Sequence, residues 1–180
     1  MHMALDTRAW TRADLDRLPD DGNRYEVLNG ELLVTPAPSD VHQAIVDWLS
    51  DVLTPFVIAH RLGRVQHPRS VVVVDGSQVE PDLMVRPFAP LRGWENAPIP
   101  FLIVEVMSRS TRRRDLGDKR AFYMEHGVAE YWVVDREARV VVRVTAAGEE
   151  RVPGTLTWAP PHTAATLHVD VAAMFREVLG

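Results

Sequence analysis

The 180-residue sequence contains no cysteine, which excludes disulfide frameworks, thiolate zinc sites, iron–sulfur clusters and cysteine nucleophiles. No apolar run approaches the ~18 residues that a membrane-spanning helix needs. The N-terminus lacks the basic segment and apolar stretch of a signal peptide. Glycine-rich phosphate loops and the HExxH and GxSxG motifs are absent as well. We therefore expect a cytoplasmic protein that has no membrane partner and that does not belong to the enzyme classes marked by these motifs.

Lysine is also scarce, because nineteen of the twenty basic residues are arginine and Lys119 is the one lysine. A general preference for arginine would have replaced this residue too unless its amine were needed. The net charge of −5 argues against non-specific coating of nucleic acid. The acidity lies in residues 1–60, however, and residues 61–180 carry fifteen acidic and sixteen basic side chains. A local site for a polyanion therefore remains compatible with the composition.

The pattern of elements predicts an α/β (α+β) fold with a central mixed β-sheet flanked by helices. The length favours one domain over residues 1–180, with a core at about 22–145. Predicted elements, in order, are a helix at 11–18, a hairpin at 24–35, a helix from 39, a hairpin of 70–74 and 78–86 around the turn at 75–76, a buried strand at 101–107, a helix at 112–126, a hairpin at 130–145 and a helix at 171–179. Within the second hairpin, Pro81 suggests a strand start or a bulge.

The first hairpin has a turn that fixes its register. Asn29-Gly30 supplies the two positive-φ residues of a type I′ turn. Leu28 then pairs with Glu31 and Glu26 with Leu33. The two carboxylates, Glu26 and Glu31, consequently share the less apolar face.

Two further carboxylates stand in unusual surroundings. Glu105 interrupts an apolar run typical of a strand covered on both faces, where an unpaired charge costs several kcal/mol. It either pairs with a buried arginine, lies at the open end of the strand, or binds a metal beside another carboxylate. Asp82, after Pro81, is either a turn or edge residue or that second ligand. Carboxylate oxygens suit Mg²⁺ or Mn²⁺.

The segment after the buried strand carries the remaining candidates. Asp115, Lys119 and Tyr123 are spaced to lie on one helix face, which predicts either a surface Asp–Lys pair or an amine directed at the carboxylates. A basic cluster precedes them and is either a solvated face or a set of phosphate contacts. Its members are Arg109, Arg112, Arg113 and Arg114.

Together these motifs resemble the Uma-two family of putative restriction endonucleases, a branch of the PD-(D/E)XK nuclease superfamily. The resemblance covers about residues 10–145. The motifs that carry it are Arg24-Tyr-Glu26-Val-Leu-Asn-Gly30, the helix beginning near His42, Pro81-Asp82-Leu, Ile103-Val-Glu105-Val-Met-Ser108, Asp115-x-x-x-Lys119-x-x-x-Tyr123 and Gly127-Val-x-Glu130-Tyr-Trp-Val-Val-Asp135.

The resemblance implies a restriction-endonuclease-like core with an added N-terminal helix and β-hairpin. It also implies that Asp82 and Glu105 are metal ligands and that Glu26 is an additional acidic residue, with Glu31 a less favoured substitute. Met107 stands where the superfamily has its lysine, and Lys119 resembles that amine relocated to the next helix. His42 matches a family position to which no role is assigned here.

The sequence thus predicts an Mg²⁺- or Mn²⁺-dependent endonuclease that hydrolyses DNA. One alternative is a non-catalytic nucleic-acid-binding or scaffold protein that retains the nuclease fold. Another is a phosphodiesterase that acts on RNA or nucleotides with the same metal site. Cutting both strands of a duplex favours a homodimer with two sites.

Overall fold

The computed structural model describes residues 9–180. The helices are α1 (Arg12–Leu15), α2 (Asp40–Ala59), α3 (Arg112–Leu116), α4 (Asp118–Glu125) and α5 (Val171–Leu179). The strands are β1 (Arg24–Leu28), β2 (Glu31–Thr35), β3 (Arg64–Gln66), β4 (Val72–Val74), β5 (Ser77–Val79), β6 (Leu83–Arg86), β7 (Leu102–Met107), β8 (Glu130–Asp135), β9 (Val140–Thr145), β10 (Gly148–Val152), β11 (Thr155–Trp158) and β12 (Leu167–Asp170).

A six-stranded sheet forms the centre of the molecule, in the order β10-β9-β8-β7-β6-β3. It is mixed, since β7 and β8 pair in parallel whereas their other neighbours pair antiparallel. Every residue of β7 and β8 is buried, as expected of central strands covered on both faces. The predicted fold class, a central mixed sheet flanked by helices, is therefore confirmed.

Each face of this sheet has its own hydrophobic core. On one face, α2 and α5 pack Leu49, Leu53 and Phe175 against the strands, together with the small β11–β12 hairpin. On the other face, Phe122 and Tyr123 of α4 pack against the sheet together with apolar side chains of β1, β2, β4 and β5. The strands that carry the carboxylates thus lie between two apolar layers. No helix within residues 9–180 is long and apolar enough to cross a membrane.

A second, four-stranded sheet, β2-β1-β5-β4, carries the first hairpin. Its register is the predicted one, with Glu26 opposite Leu33 and Leu28 opposite Glu31, because the Asn-Gly turn permits no other short pairing. The mixed face is the one that turns inward, since Glu26, Leu28 and Leu33 are buried.

The chain passes from this sheet to the central one at Pro81. The sequence predicts one arm of the second hairpin over residues 78–86, with Pro81 as a strand start or a bulge. The structure divides it into β5 and β6, which belong to different sheets, since proline cannot donate to a ladder in the middle of a strand. Asp82 consequently lies where the two sheets meet.

The helix predicted over residues 112–126 is also divided, into α3 and α4. The break is at Gly117, where a Cβ atom would lie 2.6 Å from the carbonyl oxygen of Arg113. Only glycine permits this close approach of the two backbones. Pro55, by contrast, lies inside α2 without ending it.

Candidate active site

The candidate residues converge on a cavity of about 340 Å³ at the junction of the two sheets and the N-terminus of α2. Ser39 caps this helix by accepting a hydrogen bond from the amide of His42, which fixes the first turn against the cavity. Five of the predicted residues line it, and Arg24 and Glu80 line it with them. The five are His42, Asp82, Glu105, Arg114 and Lys119.

Asp82 is held by donors from three elements. Its Oδ1 accepts a hydrogen bond from Arg24 Nη1 at 2.8 Å. Its Oδ2 lies 3.0 Å from His42 Nε2 and accepts a hydrogen bond from the amide of Val106 at 2.7 Å. Burial favours the neutral acid, but the His42 hydrogen bond and the Arg24 charge outweigh it and hold the pKa of Asp82 well below its usual range. Asp82 is therefore an ionised carboxylate with a fixed orientation.

Lys119 joins two other carboxylates. Its Nζ lies 2.9 Å from Oε1 of Glu105 and 2.9 Å from Oε1 of Glu26. Tyr123, one turn further along α4, donates its hydroxyl to the same Glu105 oxygen at 3.0 Å. Burial lowers the pKa of Lys119, but the attraction of Glu105 and Glu26 outweighs it and raises the pKa overall. The ammonium is therefore charged and almost completely shielded from solvent.

Carboxylates outnumber cations in this cluster. The acidic members are Glu26, Asp82, Glu105 and Asp115, all of them buried, and Arg24 and Lys119 are the two facing cations. Burial raises the pKa of Glu105 to about 8 despite the opposing charge of Lys119, and Asp82 and Asp115 raise it further. The cluster therefore has a deficit of positive charge, which favours protonation of Glu105.

That deficit bears on whether the cluster suits a divalent cation. Within the described chain, no group of three or more His, Asp and Glu side chains already has the arrangement of a metal site. The donors nevertheless fit in kind, because they are hard carboxylate oxygens. Oε2 of Glu26 is buried and has no hydrogen-bond partner among residues 9–180. A divalent cation would supply the missing positive charge.

The basic cluster is only partly brought to this cavity. Arg114 lines it and donates a hydrogen bond to Thr35. Arg109 instead pairs with Glu137 in solvent, and Arg112 pairs with Asp135, while Arg113 is exposed. Arg109 lies in the turn before α3, and consecutive residues of a helix point in different directions, so the structure brings one of the four arginines to the cavity.

Two residues of the first hairpin differ from expectation: Glu31 was predicted as a site residue but lies outside the cavity, whereas Arg24 was not predicted but lines it. Glu31 is exposed beside the turn and does not line the cavity, because the hairpin carries it beyond the junction of the sheets. Sequence reasoning missed Arg24 as a site residue. The available signal was strand alternation, which puts Arg24 and Glu26 on one face. Its pairing with Asp82, 58 residues away, could not be read from the sequence.

Comparisons with known proteins agree with this description. The family model Uma2, described as a putative restriction endonuclease, matches residues 12–172. A crystal structure of a putative nuclease belonging to DUF820, from Anabaena variabilis, is similar with a TM-score of 0.78. The two chains are 19% identical, and the similarity covers 94% of this chain and 99% of that one. Among curated proteins, none matches the chain.

Proposed function

The chain belongs to the Uma2 family of putative restriction endonucleases, and from this premise we propose that it is a metal-dependent endonuclease that hydrolyses DNA phosphodiester bonds. The observation that carries the proposal is the position of the one lysine. Its ammonium lies 2.9 Å from both Glu26 and Glu105 beside a cavity that Asp82 also lines. A buried amine among several carboxylates is typical of a catalytic centre rather than of a surface ion pair.

In this proposal Asp82 and Glu105 hold Mg²⁺ or Mn²⁺, with Glu26 as an additional acidic residue. Such an ion, when bound, lowers the pKa of a water molecule and neutralises charge on the phosphate oxygens. Oε2 of Glu26 supports its inclusion, because it accepts no hydrogen bond among residues 9–180 and faces only the Arg24 Nε atom at 3.8 Å. Because burial raises the pKa of Glu105, metal binding would compete with protonation of this carboxyl group.

The chain's own side chains then position and stabilise the reacting groups. Lys119 supplies a positive charge that solvent does not screen, which stabilises negative charge that develops on the phosphate. Tyr123 fixes one oxygen of Glu105, while His42 and Arg24 fix Asp82. Arg114 at the cavity wall is the member of the basic cluster suited to contact a neighbouring phosphate.

The test is cleavage of a supercoiled plasmid by purified protein in Mg²⁺, in Mn²⁺ and in EDTA. Wild type should nick the plasmid only with metal, and Asp82→Asn and Glu105→Gln should reduce nicking to the level seen in EDTA. Asp51→Asn is the matched control, since Asp51 is an exposed carboxylate of α2 outside the cavity. Full nicking by folded Glu105→Gln would remove Glu105 from the proposed site.

One observation favours a second candidate, a nucleic-acid-binding protein without nuclease activity. Both oxygens of Asp82 already accept hydrogen bonds, and Oε1 of Glu105 already accepts hydrogen bonds from Lys119 and Tyr123. If this candidate is correct, calorimetry will detect no Mn²⁺ binding and the plasmid will be retarded without being nicked. A parallel cleavage assay on single-stranded RNA tests the phosphodiesterase alternative. Sedimentation of the wild-type chain tests whether it forms a homodimer, the assembly that cutting both strands of a duplex favours.

A further inference from the structure

A second cavity, of about 490 Å³, lies at the opposite end of β6 from Asp82. It is formed by β3, the end of β6 and the proline-rich segment over residues 87–98. Three arginines line it, namely Arg64, Arg86 and Arg92, and no aspartate or glutamate of the described chain does. In a protein with a net charge of −5, this is a local concentration of positive charge.

Arg86 is the unusual member of this group, because it is 5% exposed. Its Nη2 donates to the carbonyl oxygen of Val71 at 2.9 Å, whereas Nε and Nη1 have no hydrogen-bond partner within residues 9–180. Burial with no neighbouring carboxylate lowers the pKa of Arg86 to about 10. A buried cation with unsatisfied donors costs stability, and an anionic ligand would satisfy those donors.

Aromatic side chains flank the arginines. The guanidinium of Arg86 lies 5.4 Å from the centre of the Trp94 ring, and that of Arg64 lies 5.0 Å from the centre of the Phe88 ring. Trp94 and Phe88 are both exposed, at 36% and 57%. Exposed aromatic rings beside arginines are the combination that binds nucleotides, since a base stacks on the ring and the phosphate pairs with guanidinium groups.

We propose that this cavity is a nucleotide-binding site, separate from the carboxylate cavity, in which Arg64, Arg86 and Arg92 hold a phosphate and a base stacks on Trp94. The proposal does not depend on cleavage at the first cavity. The same chemistry is offered by a free nucleotide and by one nucleotide of a nucleic-acid strand. Asp82 and Arg86 lie four residues apart on one extended segment, which corresponds to about 13 Å.

The test measures binding to the wild-type chain in EDTA, by calorimetry and tryptophan fluorescence. The three probes are inorganic phosphate, a deoxynucleoside monophosphate and a single-stranded tetranucleotide. The monophosphate should bind more tightly than phosphate and change the fluorescence. Equal affinity of the two nucleotide probes assigns the site to free nucleotides, whereas tighter binding of the tetranucleotide assigns it to a strand, and either result supports the proposal.

Variants distinguish binding at this cavity from non-specific attraction of the phosphate by surface arginines. The double variant Arg64→Gln/Arg92→Gln changes two exposed residues and should weaken the monophosphate by about tenfold or more, the loss expected of a charge-assisted contact. Trp94→Leu should remove the advantage of the nucleotide over phosphate. Arg176→Gln is the control, because Arg176 is exposed on α5 outside the cavity. No saturable binding, or equal weakening in Arg176→Gln and the double variant, would overturn the proposal.

Discussion

Replacement of Lys119 by methionine tests the charge balance of the carboxylate cluster. Lys119→Met keeps the length of the side chain and removes the cation that lies 2.9 Å from both Glu26 and Glu105. One more carboxyl group must then take up a proton, because a buried ionised carboxylate without a partner costs more than its protonation.

The magnitude follows from the pH. A carboxyl group with an unperturbed pKa near 4.3 requires about 4 kcal/mol to be protonated at pH 7 and about 1 kcal/mol at pH 5, at 1.36 kcal/mol for each pH unit. The pH 7 figure lies within the roughly 3–5 kcal/mol measured when one partner of a buried pair is removed. Since the folded variant holds a proton that the unfolded chain releases, its stability falls as the pH rises from 5 to 7.

The assay is urea denaturation in EDTA, with wild type and variant compared at pH 5 and pH 7. We expect Lys119→Met to lose about 4 kcal/mol of unfolding free energy relative to wild type at pH 7 and about 1 kcal/mol at pH 5. Arg120→Met is the matched control. Arg120 pairs with Glu149 at the surface, so its loss should change stability by less than about 1 kcal/mol at either pH.

A second variant keeps the test informative if Lys119→Met does not fold at pH 7. Glu26→Gln/Lys119→Met removes one carboxylate together with the cation, and it should recover most of the lost stability, since a neutral replacement of a buried pair is tolerated. A loss for Lys119→Met that is the same at both pH values, or below about 1 kcal/mol at pH 7, would refute the reasoning.

Three further outcomes are expected. Burial raises the pKa of Glu105 to about 8, so metal binding must displace a proton. The affinity for Mn²⁺ measured by calorimetry should therefore rise between pH 6 and pH 8. An affinity that does not depend on pH would contradict this. Gly63→Ala should destabilise by about 3 kcal/mol in urea, since its Cβ would lie 2.0 Å from the carbonyl oxygen of Arg86, whereas Gly154→Ala, with open space around it, should have little effect. Ser39→Ala should lower the free energy of unfolding by about 1 kcal/mol, because the N-cap of α2 is lost. An unchanged thermal unfolding curve would show that the cap is not needed.

The parts of the fold that were predictable are those that local chemistry determines. The Asn29-Gly30 turn fixes the register of the first hairpin, and the continuous apolar run around Glu105 identifies a central strand. Pro81 was expected to start a strand or to form a bulge. That the residues on its two sides pair in different sheets was not predicted, because such pairing depends on contacts remote in sequence. The helix break at Gly117 depends on a single close backbone approach and has no periodic signal.

The same distinction applies to the two cavities. Asp82, Glu105 and Lys119 were recognisable as candidates from their unusual surroundings in the sequence, and their mutual positions required the structure. Arg24 was missed because its partner lies 58 residues away. The Arg86 cavity was missed because the proline-rich segment that closes it carries no repeating pattern from which packing could be inferred.

The wide separation of Glu26 and Lys119 along the chain has a consequence for the order in which the site assembles. During synthesis, β1 emerges long before α4, so Glu26 exists in the nascent chain before Lys119, with which it pairs, has been made. The charged cluster is completed only when Lys119 of α4 packs between Glu26 and Glu105. An incomplete chain therefore has no assembled centre, and a protein proposed to cut DNA acquires that capacity only after its fold has closed.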